Sequence, residues 1–125
     1  MSSQNVVSPE VSSGKSEIRL VSESALQEIT RKIVEAFHPE KIVLFGSYAS
    51  GDADADSDVD LLVIMETEAR PAERSARIMR VCRPRYVAMD IIVRTPAEIA
   101  DRLAAFDPFL EEVLDRGRVL YRAVG

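Results

Sequence analysis

The residues able to do chemistry lie in the middle of the chain. Phe45-Gly46-Ser47-Tyr48 leads through an acidic loop to Asp58-Val59-Asp60-Leu61-Leu62, and Asp90 interrupts the otherwise apolar run Val87-Ala88-Met89-Asp90-Ile91-Ile92-Val93. A glycine after a strand lets the backbone turn tightly and lets a phosphate approach main-chain N–H groups. Ser47 is placed to cap a short following helix and to donate its hydroxyl to a phosphate oxygen. Residues two apart in a strand share a face, so Asp58 and Asp60 project together at a spacing suited to divalent cations. Asp90 reads as a carboxylate in a buried strand, where an uncompensated charge costs on the order of several kcal/mol and a metal is the simplest remedy. Clustered acids holding hard cations that bridge a nucleoside triphosphate make the two-metal arrangement for in-line phosphoryl or nucleotidyl transfer.

Simpler accounts of the same residues exist. Gly-Ser is also a turn, and Asp-x-Asp is also the polar entrance of a strand. An EF-hand over Asp52, Asp54 and Asp56 fails, because Ser57 stands where the loop needs glycine and Val63 where it needs glutamate. Those three aspartates therefore read as solvated loop acids. His38, the only histidine, sits before Pro39 at a helix end, which leaves little for a Ser-His-Asp triad or a histidine metal site. Cys82, the only cysteine, reads as a small semi-buried apolar residue.

These residues need elements to hold them. Leu26, Ile29, Ile33 and Phe37 recur at helical spacing from Ser24 to Phe37, with Ser24 and Gln27 as a capping box, and His38-Pro39 ends the helix. Lys41 to Phe45 and Val59 to Met65 read as buried strands. The short acidic connection between them favours an antiparallel pair, which sets Gly46-Ser47 beside Asp58 and Asp60. Helical character from Glu68 to Arg80, broken by Arg83-Pro84, gives a crossover long enough to make the third strand, Val87 to Thr95, parallel to the second, with Asp90 alongside on the same face. Thr95-Pro96 with Glu98 signals a capped helix to about Ala105. Asp107-Pro108 starts another that Gly117 ends, and Val119 to Arg122 forms an edge strand. The expected architecture is α/β, a small mixed sheet flanked by helices.

At 125 residues the chain suits one domain, with residues 1–16, rich in serine, as a mobile tail and residues 17–125 as the folded unit. No apolar run is long enough to span a bilayer, and the start of the chain lacks the basic flank and apolar block of a signal peptide. With one cysteine this points to the cytoplasm. The net charge of −5 argues against broad nucleic-acid binding. Arg70, Arg74 and Arg77 share a helical face that Arg80, Arg83 and Arg85 extend, read either as a solvated face or as a patch for phosphate or an acidic partner.

Gly46-Ser47, ten residues, Asp58-x-Asp60 and then Asp90 in a later strand resemble the motif of the DNA polymerase β-like nucleotidyltransferase superfamily. The compact form resembles its minimal nucleotidyltransferases, which pair with HEPN toxins, over roughly Ser24 to Tyr121. That resemblance implies a polymerase β-like core and Mg²⁺-dependent transfer of AMP from ATP, with two ions expected. Asp58 and Asp60 would bind metal, Asp90 would be a third ligand or a base, and Gly46 and Ser47 would hold the nucleotide. In the antitoxin branch the acceptor is a tyrosine hydroxyl of the HEPN toxin. Larger relatives carry a further acceptor domain that is not seen here, which favours an acceptor brought by a partner protein. The alternatives are a module that sequesters a toxin or binds nucleotide without turnover, and an aminoglycoside-type small-molecule enzyme.

Overall fold

The computed structural model describes residues 20–82 and 87–124. In chain order they form α1 (Glu23–Phe37), β1 (Lys41–Phe45), α2 (Ser47–Ser50), β2 (Val59–Ile64), α3 (Pro71–Cys82), β3 (Met89–Arg94), α4 (Pro96–Ala104), α5 (Pro108–Arg116) and β4 (Arg118–Arg122). The strands make one mixed sheet in the order β3-β2-β1-β4. β1 is antiparallel to both β2 and β4, and β2 is parallel to β3, as the connection lengths require. Side-chain alternation divides the interior. Ile42, Leu44, Leu61, Val63, Ile91 and Val93 face the larger core with α1 and α3, whereas Val43, Leu62 and Ile64 face a smaller one with Leu110 and Val113 of α5. The result is a three-layer α/β sandwich. Among the described residues no helix is long and apolar enough to cross a membrane.

Local chemistry explains the boundaries and corrects several expectations. α1 is capped by Ser22, whose Oγ accepts from the Ala25 N–H at 3.1 Å, and not by Ser24. This start adds Glu23 to the first turn, where a negative charge favours the helix dipole. The helix ends at His38, held left-handed at φ 50° with its N–H on the Val34 carbonyl. α3 begins at Pro71, later than Glu68, because proline suits a first helical position. The expected break at Arg83-Pro84 lies outside the described residues. α5 ends at Gly117 as expected, but by another route. Gly117 has φ −71°, and a Cβ there would strike the Val113 carbonyl and Val43 Cγ1, so glycine is required for close packing.

Arg74 belongs neither to a solvated face nor to an open basic patch. It is only 8% exposed. Its Nε donates to the Ala69 carbonyl at 2.8 Å and its Nη1 to the Val93 carbonyl at 3.2 Å, and it grips both Glu98 oxygens, at 2.7 and 3.1 Å. Glu98 also completes the capping box with Thr95 that the sequence signals, so one carboxylate ties α3, the end of β3 and the start of α4 together. Arg77, by contrast, is exposed and 3.8 Å from Glu73.

Phe106 is held at φ 59° where α4 ends, with the Asp107 N–H reaching back to the Arg102 carbonyl and its own N–H on the Leu103 carbonyl. That is the helix stop at which glycine is favoured, and the ring, 81% exposed, offsets little of the backbone strain. Phe106→Gly is therefore expected to stabilise the fold by about 0.5–1 kcal/mol in urea titration. A loss of stability would mean that the ring packs in solution. Glu98→Ala strands the buried guanidinium and should cost about 2 kcal/mol, against less than about 0.5 kcal/mol for Glu73→Ala. The bond from Arg74, with that from Thr95, holds the Glu98 carboxyl at about 2. Its contribution is complete above the ordinary value of 4.5 and fades as pH falls towards 2, so the gap between the two variants should narrow in acid. A gap independent of pH would rule the pairing out.

Candidate active site

One row of register partners crosses the sheet where its apolar cover stops. Phe45 in β1 pairs with Asp60 in β2, and Asp60 pairs with Asp90 in β3. Asp60 alternates with Leu62 and Ile64, and Asp90 with Ile92, so both carboxylates stand on the face of the smaller core. Asp58 lies one residue before β2 and is exposed. The parallel pairing thus sets Asp60 and Asp90 side by side on one face, and the charges of both Asp90 and Asp58 reach Asp60.

Gly46 follows Phe45 at φ 73° and ψ −154°, a backbone region essentially reserved for glycine. A Cβ there would overlap Oδ2 of Asp60. The glycine therefore serves the turn and also makes room for the Asp60 carboxylate, a second role that spacing alone does not reveal. Ser47 is the first residue of α2 and not its cap. Gly46 holds the cap position, no side chain caps the helix, and the Ser47 hydroxyl makes no hydrogen bond among the described residues. Tyr48 accepts a hydrogen bond from the Val21 N–H at 3.0 Å, which fastens α2 to the chain entering α1.

The intervening loop holds itself together. Asp54 accepts from the Asp56 N–H at 2.9 Å and from the Ser57 hydroxyl at 3.2 Å, and Asp52 accepts from Ser50 at 3.0 Å. These are turn-forming, solvated acids, as expected. Of the basic stretch, Arg70, Arg77 and Arg80 are exposed, Arg74 is committed to Glu98, and Arg83 and Arg85 lie outside the described residues. Sequence reasoning assigns α5 nothing beyond its caps. Yet a cleft of about 420 Å³ runs between α2 and α5 from Gly46 to Phe109, with Glu112 and Arg116 on its wall. A groove of about 460 Å³ between α1 and β4 shares none of the carboxylates and stands apart from the site.

Asp90 is exposed, contrary to the expectation of a buried charge, and β3 is an edge strand. The desolvated acid is Asp60. Burial first, then the charges of Asp90 and Asp58, raise its carboxyl above the ordinary range. No lysine or arginine among the described residues forms an ion pair with any of the three. A hard cation fits this all-oxygen, uncompensated set. The side chains do not by themselves enclose one, since no group of three acids among the described residues forms a ready-made metal site. A cation there needs oxygens from outside the protein, which a polyphosphate carries. Because the folded state binds its proton more tightly than the unfolded chain, Asp60 subtracts stability as pH rises through its folded value. Metal-free Asp60→Asn should therefore melt at or above the parent temperature at pH 7, whereas exposed Asp90→Asn should barely move it. A clear fall for Asp60→Asn would make that carboxylate a structural hydrogen-bonding group.

Comparison with known proteins agrees with the geometry. The sequence model of the nucleotidyltransferase domain family matches residues 26–119, from the larger core through to β4. Two proteins of Methanocaldococcus jannaschii, each named "putative protein adenylyltransferase", are similar to the chain. One is 30% identical over 78 residues, 62% of this chain and 75% of that protein, and the other is 26% identical over 104 residues, 79% and 97%. A crystal structure titled as that of a "putative nucleotidyltransferase" from Sulfolobus solfataricus superposes with a TM-score of 0.50 at 29% identity, covering 63% of this chain and 70% of that one. With a matched span that contains Gly46, Ser47, Asp58, Asp60 and Asp90 in the arrangement just described, the chain belongs to the nucleotidyltransferase domain family.

Proposed function

We propose that the chain is a cytoplasmic, Mg²⁺-dependent protein adenylyltransferase that moves AMP from ATP to a tyrosine hydroxyl of a HEPN-type toxin and so acts as its antitoxin. The observation that carries the reading is the aligned pair Asp60 and Asp90 with Gly46 set against Asp60. The names of the two archaeal relatives support a protein acceptor.

Asp58 and Asp60 would hold Mg²⁺, which when bound neutralises phosphate charge and aligns oxygens for in-line displacement. Gly46, with no side chain in the way, leaves the main chain open to the β- and γ-phosphates, and the unengaged Ser47 hydroxyl donates to one of their oxygens. Asp90, on the exposed edge strand, takes the proton from the acceptor hydroxyl. The hydroxyl oxygen then bonds to the α-phosphorus, the bond from that phosphorus to the bridging oxygen breaks, and pyrophosphate leaves with the electron pair. AMP on the toxin adds bulk and a negative charge, which would obstruct a ribonuclease site and repel RNA.

Intact-mass analysis of the purified partner tests this. An AMP-sized increase is expected with ATP and Mg²⁺, absent with the Asp58→Asn, Asp60→Asn double variant and slowed about 10²–10³-fold with Asp90→Asn. Gly46→Ala should be equally inactive, since the added methyl displaces the Asp60 carboxylate. Neutralisation of the toxin by the double variant with no mass change would establish sequestration instead. Nucleotide transfer to a small molecule but to no protein would make the chain an aminoglycoside-type enzyme.

A further inference from the structure

We infer that the cleft between α2 and α5 receives the base and ribose of the donor nucleotide, with Phe109 as the stacking surface. The inference rests on the nucleotidyl-transfer reading above.

Three observations lead there. The first is continuity. Gly46 lines the cleft and also touches the row of carboxylates through its close approach to Asp60, so a ligand whose phosphates lie at Asp60 would enter the cleft past Gly46. The second is the lining. Phe45, Ala49 and Val113 make an apolar floor, and Phe109 stands over it in the first turn of α5, 51% exposed. Its ring meets that of Phe45 edge-on, with centroids 5.6 Å apart and planes at 84°. The contact fixes the ring's orientation while half of its surface stays open, which suits a flat aromatic partner better than a place in the core.

The third is the polar wall. Glu112 and Arg116 follow Phe109 along one face of α5 at positions three and seven residues on, and neither takes part in an ion pair among the described residues. They offer one acceptor and one donor beside an apolar surface, the combination that orients a heterocycle bearing both kinds of group. The volume, about 420 Å³, suits a nucleoside. Seated there, the nucleoside extends from Asp60 towards β1 and α5, away from Asp90. The outer edge of β3 is then left to the acceptor, on the side from which in-line attack must come.

The test is calorimetric titration of the full chain with Mg²⁺-ATP and with Mg²⁺-tripolyphosphate, which has the phosphates and no base. The parent should bind both, ATP the more tightly. Phe109→Leu keeps an apolar group against Phe45 and removes the stacking ring. It should weaken ATP about tenfold and leave tripolyphosphate within about twofold. Arg116→Ala should act in the same direction, and melting temperatures confirm that each variant is folded. Phe109 and Arg116 variants that bind ATP like the parent, or that lose ATP and tripolyphosphate together, would overturn the inference and leave nucleotidyl transfer standing. A parent that binds neither ligand would bring down the transfer reading and this one with it.

Discussion

The close approach of Gly46 to Asp60 is the constraint on which the site depends. A main-chain atom and a carboxylate oxygen fit together only if residue 46 has no side chain and the β1–β2 register sets Phe45 opposite Asp60. In that register every neighbour is decided. Alternation sends Leu61 and Val63 to the larger core and Leu62 and Ile64 to the smaller one, and a slip by one residue would bury Asp60 among the branched side chains of α1 and α3. The energetic preference for apolar contact on both faces thus fixes the position of a polar group that contributes nothing to it. The site is held by the packing beside it.

Much of this was legible because binary pattern and connection length are strong signals. Two branched apolar runs joined by a short acidic loop can hardly pair other than antiparallel, and a run the length of α3 between parallel strands is a crossover. Thr95, Glu98 and Asp107 announce their caps. Other details were beyond reach, for physical reasons. Ser22 and Ser24 are equivalent as caps by type, and only the bond from the Ala25 N–H to the Ser22 Oγ tells them apart. Gly117 looks like a left-handed helix stop, and only the distance to Val43 shows that it is a close-packing glycine. The candidate residues came from types and spacings. The cleft of α5 did not, because Phe109, Glu112 and Arg116 carry no motif and meet Gly46 only in three dimensions.

Arg74 illustrates the same limit from the other side. Helical periodicity groups it with Arg70 and Arg77, and composition makes all three look solvated. What sets Arg74 apart is a partner distant in sequence, Glu98, already placed by its own capping box. A preorganised carboxylate lowers the entropic cost of ordering a long side chain, so the buried pair forms where the exposed Glu73–Arg77 pair stays loose. Since this joint fixes α4 to the end of β3, and α5 follows α4 directly, it also bears on the position of Phe109 over the cleft.

The difference between Asp60 and Asp90 follows from strand order. β2 has a neighbour on each side, so the carboxylate of Asp60 is partly desolvated, and with the charges of Asp90 and Asp58 nearby its proton affinity rises. β3 is an edge, so Asp90 keeps its water. An acid that resists ionisation gains most from a nearby cation, because the cation relieves both the burial and the repulsion. In the proposed reaction Asp90, open on one side, would meet the acceptor that approaches that edge. Two aspartates of the same type, aligned across neighbouring strands, are thereby given different surroundings by the order of those strands in the sheet.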